Sequence, residues 1–229
     1  IKAADVVPDL GSSNVDASAA DALIDAFSSA AESFGGDYSI AIADASGKVV
    51  ADRNIDTPRT PASTMKTLTA YAAASGLDMG STLDTQTYLE QVRDGSARLV
   101  LKGNGDMLLG AGLSDPNHVN GCAGLGTLAV DTAQALRQRG ITSVTLTYDD
   151  SLFGENRWPQ GIAELDTDHV YYAPSSSMAV DGGRNWNGAK PSDPDQFTAY
   201  PALSMHPAAD AASVFAQRLS EQGITVQGS

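Results

Sequence analysis

The chain has 229 residues, 42% of them hydrophobic, enough for one good core or for two small domains. Its 14 Lys and Arg face 28 Asp and Glu, a formal net charge of −14. Such a field repels nucleic acid and anionic membrane, so polyanion binding is excluded as the main business. The 22 Gly and 10 Pro suit a loop-rich globular chain rather than a disordered one.

The single cysteine, Cys122, excludes an internal disulfide but not export, and among Gly121, Gly124 and Gly126 it reads as a small loop residue rather than a nucleophile. No segment has the pattern of a signal peptide, and no apolar run approaches the roughly 18 residues that span a bilayer. Ile1 in place of a methionine leads us to expect a removed leader or further residues upstream of a soluble chain.

In chain order, Ile1 to Asn14 is a polar lead-in. A helix follows through about Phe34, capped by Asp16 or Ser18, with Leu23, Ile24, Phe27, Ala30, Ala31 and Phe34 on one face and Gly35-Gly36 at its end. Tyr38 to Asp44 and Val49 to Arg53 form a hairpin around Ala45-Ser-Gly-Lys48. Ser63 to Ser75 is helical, with Pro61 upstream and Gly76 closing it. From Gly80 the pattern changes: strands at Thr82 to Leu89 and Arg98 to Leu101, the broken Gly103-Asn-Gly-Asp106, an amphipathic helix from Leu125 to Arg139, and an alternating strand from Ser143 to Tyr148. Residues 150 to 207 are rich in loop signals, with six prolines, and part of them is expected to lie against another domain or to line a cleft. A helix from Ala208 to Glu221 and a strand beginning at Gly223 end the chain.

The segment with sharp chemical content is Pro61-Ala-Ser-Thr-Met-Lys66. A three-residue step on a helix brings Ser63 and Lys66 to one face, and the first turn places Ser63 near the positive end of the helix dipole. A lysine in a partly buried, charge-balanced site can lose its proton and activate a hydroxyl; an exposed one cannot. With 23 serines and 5 lysines the bare spacing is weak evidence. The preceding hairpin, the Pro-Ala before the serine and the apolar helix after it strengthen the reading.

Other chemistries score worse. There is no Gly-x-Ser-x-Gly elbow. His118, His169 and His206 are widely spaced, each better suited to a surface hydrogen bond than to a base or zinc ligand. Gly103-Asn-Gly-Asp106 lacks the ending of a phosphate loop and reads as a tight turn with an Asp side-chain hydrogen bond. Asp149-Asp150-Ser151 is a strand-end turn or a hydrogen-bond network rather than a calcium loop. Trp158, Tyr171, Tyr172 and Trp186 suit a carbohydrate or peptide groove, or equally a packed core. Asp84, Glu90, Asp94, Glu155, Glu164, Asp166 and Asp168 specify no glycosidase pair.

Taken in order, Asp52-Arg-Asn54, Pro61-Ala-Ser-Thr-Met-Lys66, Leu99-Val-Leu-Lys-Gly-Asn-Gly-Asp106, Tyr148-Asp-Asp-Ser-Leu-Phe153, Tyr172-Ala-Pro174 and Gly223-Ile-Thr-Val226 resemble the D-Ala-D-Ala carboxypeptidase/endopeptidase family, the class C low-molecular-mass penicillin-binding proteins. The matches run from about residue 38 to 227. The resemblance implies an α+β multidomain protein: a serine β-lactamase/transpeptidase-like catalytic domain, incomplete here, interrupted by inserted α/β domains. Residues 1–79 would be its first part, 80–200 the insertion and 201–229 the return toward the catalytic domain. By the same resemblance Ser63 is the acylated nucleophile, Lys66 its proton-transfer partner and the Ser63 backbone N–H one oxyanion donor, with no metal or cofactor. The substrate would be the peptidoglycan stem peptide, β-lactams covalent inhibitors, and the location exported: extracellular, periplasmic or wall-associated.

The family's Ser-x-Asn and Lys-Thr-Gly motifs find no counterpart here. No lysine follows Lys190, Ser175 to Ser177 precede the place where the second serine belongs, and Asp181-Gly-Gly-Arg-Asn185 departs from the family pattern. A second chain carrying those motifs is one expectation. A truncated or incompletely represented polypeptide is another, and exposed sheet edges and apolar helix faces would accompany either. The alternatives to a serine carboxypeptidase are a catalytically silent wall-binding or assembly protein of the same fold, an inactive fragment, and a β-lactamase. The large insert argues against the last.

Overall fold

The structure is a computed structural model describing residues 14–33, 35, 37–93, 96–185, 191–196 and 200–228. The lead-in at 1–13, Phe34, Gly36, Asp94, Trp186, Lys190 and Ser229 lie outside the described residues. The chain divides into two compact units, 1–81 and 82–229, close to the change of pattern at Gly80.

In the first unit, helix α1 (Ala17–Glu32) starts where the Asp16 carboxylate accepts the Ala19 N–H at 2.8 Å. Strands β1 (Ile40–Ala43) and β2 (Val49–Arg53) form the expected antiparallel hairpin, irregular between Ile42 and Ala43. Its turn is held by Asp44, whose carboxylate accepts the N–H groups of Ser46 and Lys48. Ala20 and Ile24 bury the inner face of α1 on Ala51, with Ile40, Ile42 and Val50 at the margin. A surface ion pair, Arg53 to Asp25 at 3.0 Å, adds well under about 1 kcal/mol. A 3-10 turn (Ala62–Thr64) then leads into α2 (Met65–Gly76), of which no residue is buried.

The second unit is α+β. Strands β3 (Gln86–Arg93) and β4 (Ser96–Lys102) pair antiparallel, and β5 (Asp106–Leu109) follows. Helix α3 (Leu125–Gln138) returns the chain to β6 (Ser143–Asp149), parallel to β4. The short α4 (Ile162–Leu165), β7 (Met178–Val180), β8 (Arg184–Asn185) and β9 (Ala202–Leu203) occupy the loop-rich region. Helix α5 (Pro207–Glu221) then leads to β10 (Thr225–Gln227), parallel to β6, giving a sheet ordered β10-β6-β4-β3.

The two parallel crossovers put α3 and α5 on one face of the sheet. Alternation selects what they cover: Ala97, Leu99 and Leu101 of β4 and Val144 and Leu146 of β6 point inward to Leu125, Ala129, Ala133 and Leu136 of α3 and Ala211, Phe215 and Leu219 of α5. Phe215 and Leu219 are fully buried, each side chain contributing about 2 kcal/mol. β5 pairs with β7 across some seventy residues of sequence. That junction needs Gly103, where a Cβ would fall 2.5 Å from the Ser177 hydroxyl.

Two expectations shift. Strand β3 begins at Gln86, so 82–85 stay out of the sheet. The helix expected from Ser63 is preceded by a 3-10 turn. Residues 201–228 supply α5 and β10 to the second unit, where the apolar face of α5 meets α3 and β10 extends the sheet beside β6.

Candidate active site

Ser63 and Lys66 stand at the entrance to α2. The approach is tied down by Arg59, whose Nε donates to the Ser39 hydroxyl at 2.7 Å and whose Nη2 donates to the Tyr38 carbonyl at 2.8 Å. Ser39 passes the bond on to the Asn54 carbonyl at 2.7 Å, and Asn54 Nδ2 donates to Tyr38 O at 3.2 Å. The segment from 54 to 59 is thereby moored to the start of β1. Ala62 then turns through φ +46°, a left-handed conformation that L residues avoid. Thr64 bonds back to the Pro61 carbonyl through both its N–H, at 3.1 Å, and its hydroxyl.

On this frame the lysine Nζ donates to the Ser63 hydroxyl oxygen at 2.9 Å. The three-residue step produces the contact, as the spacing predicts. The backbone N–H of Ser63 has no acceptor among the described residues, as befits a first helical turn. Both side chains are exposed. The apolar side chains of α2 are exposed with them: Leu68 is 61% and Tyr71 74% accessible. The arrangement presents a hydroxyl, an amine within hydrogen-bond reach of it and a free N–H, the three elements of nucleophilic acyl chemistry. Arg59 carried no sequence signal, since its partners lie twenty residues upstream.

The remaining candidates are structural. Asp106 Oδ1 accepts the Leu108 N–H at 2.8 Å, closing the Gly-Asn-Gly-Asp turn as expected. Asp149 accepts both the N–H and the hydroxyl of Ser151, which hold its carboxyl below the usual range. Asp150 pairs with Arg157 at 2.8 Å and accepts the Ser177 N–H at 2.6 Å. Ser176 and Ser177 are buried. Trp158 meets Tyr172 edge to face at 5.1 Å, and Tyr171 meets Tyr200 at 5.3 Å. Asp166, buried, holds the N–H groups of Val170 and Tyr171.

Among the described residues the fold brings together one set of potential metal ligands that spacing could not reveal. His118 Nδ1 lies 3.1 Å from Asp195 Oδ2 and 3.8 Å from Asp193 Oδ1. Asp195 is committed to the backbone N–H groups of Asn120 and Val119, which keep its carboxyl below the usual range, and Asn120 Nδ2 donates to Pro194 O at 3.1 Å. A cation would compete with those donors, and the cluster acts as a clasp between two loops.

Residues 22–199 match the D-Ala-D-Ala carboxypeptidase 3 (S13) family, a stretch containing Ser63 and Lys66. Carboxypeptidase Rv3627c of Mycobacterium tuberculosis is 30% identical over 139 residues, covering 60% of this chain and 29% of that protein. Carboxypeptidase DacB of Mycolicibacterium smegmatis is 32% identical over 128 residues, 56% of this chain and 26% of the relative. The match thus spans under a third of either relative's length.

Proposed function

The chain belongs to the D-Ala-D-Ala carboxypeptidase 3 (S13) family, and on that premise we propose that it carries the nucleophile of a serine-type carboxypeptidase acting on peptidoglycan stem peptides, outside the cytoplasm. The observation that carries the reading is the 2.9 Å hydrogen bond from Lys66 Nζ to Ser63 Oγ at a helix start. Ser63 Oγ attacks the carbonyl of the penultimate D-Ala while its proton passes to Lys66. The Ser63 N–H faces the developing oxyanion, the terminal D-Ala leaves with a proton, and water then releases the acyl group. The same serine opens a β-lactam ring and retains the acyl product. A D-Ala to diamino-acid crosslink offers the same carbonyl chemistry, which makes endopeptidase action part of the proposal.

A lysine takes that proton where burial or a neighbouring cation favours its neutral form. The exposed setting of Ser63 and Lys66 leads us to infer that a further stretch of polypeptide, on this chain or a second one, covers α2 and brings the Ser-x-Asn and Lys-Thr-Gly groups. Without one oxyanion donor alone the barrier rises by about 3 kcal/mol, roughly a hundredfold in rate. In this reading the second unit is an insertion that interrupts the catalytic domain.

Denaturing intact-mass spectrometry with and without benzylpenicillin tests the assignment. One penicillin mass on the Ser63 polypeptide, lost in Ser63→Ala, is the expected result in a sample containing the complementary motifs. An adduct that survives Ser63→Ala overturns it. The exposure of both residues favours a second reading, a silent wall-binding protein. That reading predicts retention on purified peptidoglycan, unchanged in Ser63→Ala, with no penicillin adduct in any sample.

A further inference from the structure

Every hydrogen bond that residues 60–81 make among the described residues stays inside that stretch. Neither the 3-10 turn nor α2 buries a residue, so core packing does not fix the helix start either. The last hydrogen-bonded tie to the rest of the first unit before Ser63 is therefore Arg59.

That tie is a closed ring. Arg59 Nε donates to Ser39 Oγ at 2.7 Å, and Ser39 Oγ donates to the Asn54 carbonyl at 2.7 Å. The Tyr38 carbonyl completes it, accepting Asn54 Nδ2 at 3.2 Å and Arg59 Nη2 at 2.8 Å. The ring needs a guanidinium, because two N–H groups in one rigid plane reach two acceptors at once, whereas lysine offers a single point of charge. Asn54 leaves β2 at φ +57°, a left-handed conformation that asparagine tolerates, so the ring closes on the end of the hairpin. Downstream the chain has little slack. Pro61 holds φ −73°, Ala62 holds φ +46°, and Thr64 bonds back to the Pro61 carbonyl through its N–H and its hydroxyl. A short, stiff lever thus joins Arg59 to the Ser63 hydroxyl and N–H.

We propose that Arg59 is a positioning residue for acyl transfer, fixing where Ser63 Oγ and the Ser63 N–H stand relative to the scissile carbonyl without touching substrate. The proposal rests on the acyl-enzyme reading above. Arg59 and Asn54 are exposed, so the ring holds position more than it holds the fold together. A nucleophile misplaced by about 1 Å loses roughly a hundredfold in its chemical step.

The test measures benzylpenicillin acylation of Ser63 by intact mass in a sample containing the complementary motifs, separating the acylation rate constant from the dissociation constant of the encounter complex. Arg59→Ala, Arg59→Lys and Ser39→Ala should each lower the rate constant and leave the dissociation constant unchanged, with a loss of about tenfold to a hundredfold in Arg59→Ala. Arg59→Ala combined with Ser39→Ala should fall no further than Arg59→Ala alone, since both open the same ring. Arg53→Ala removes another surface arginine of the same unit, paired with Asp25, and should leave the rate constant unchanged. A second readout needs no activity. Trypsin cleaves after Lys66 only when the start of α2 unwinds, and that cleavage should run several times faster in Arg59→Ala than in the parent.

An unchanged rate constant in Arg59→Ala overturns the proposal. So does a weaker encounter complex with an unchanged rate constant, which would make Arg59 a substrate contact, and so does an equal loss in Arg53→Ala. A parent that takes up no penicillin at Ser63 overturns the acyl-enzyme reading instead. Equal tryptic rates in Arg59→Ala and the parent overturn the mooring whether or not penicillin reacts.

Discussion

Ala62 holds φ +46° immediately before Ser63, a conformation that costs an L residue about 1–2 kcal/mol. Glycine removes that cost but gives up about 0.5–1 kcal/mol through the freer unfolded chain. Ala62→Gly is therefore expected to raise the stability of the first unit by roughly 0.5–1 kcal/mol, read as a higher midpoint in urea. An unchanged or lower midpoint would mean that the turn is not held as described. Asp150 is the opposite case, a residue whose removal strands its partners. It meets Arg157 at 2.8 Å with both side chains about four-fifths buried, and it accepts the Ser177 N–H. Truncation leaves a guanidinium and an amide short of an acceptor, so Asp150→Ala should cost the second unit about 2–4 kcal/mol. Asp150→Asn, which retains an acceptor, should cost clearly less; equal losses would locate the effect in packing.

Elements with a continuous local signal could be identified from sequence. The apolar spacing of α1 and α3 and the alternation of β6 lie within single segments, and the bounds of these elements, of β2 and of α5 fall close to those expected. The Ser63–Lys66 contact was legible for the same reason, since one helical turn contains it. Strands β5, β7, β8 and β9 were not. They run two to four residues, too few to show a period, and the β5–β7 pair is chosen by partners far apart in sequence. The mooring of Arg59 and the clasp of His118 and Asp195 were hidden likewise, each being made by chain closure rather than by a local pattern. Helix α2 shows the limit of reading burial from composition: Met65, Leu68 and Tyr71 lie exposed here. Leu68→Ser should therefore change the stability of the first unit by less than about 0.5 kcal/mol, whereas Ile24→Ala, in the core beneath α1, should cost about 2–4 kcal/mol. A large loss from Leu68→Ser would show that α2 packs in solution.

For the molecule as a whole, charge sets two opposing trends with pH. At neutral pH the net charge of −14 is a source of self-repulsion, which screening relieves over a Debye length of about 10 Å at 0.1 M salt. Added salt should thus raise the thermal midpoint at pH 7. Acidification toward the isoelectric point near 4.3 removes the same repulsion. Against this stand Asp149 and Asp195, whose carboxyls are held low by hydrogen bonds from Ser151 and from Asn120 and Val119 respectively. Their folded values lie below the unfolded value of 3.8, so their contribution is complete above 3.8 and is lost as pH falls through the folded values. Asp106 has the reverse sign. Burial raises its folded value above 3.8, so the folded state holds its proton more tightly; that contribution is complete below 3.8 and is lost as pH rises through the folded value. At pH 7 Asp106 is a standing cost to the second unit, and Asp106→Asn should raise its urea midpoint there while leaving the midpoint below 3.8 nearly unchanged. Asp149→Asn should lower the midpoint at pH 7 and converge with the parent in acid. A neutral-pH loss in Asp106→Asn would mean that its carboxylate is already compensated within the fold.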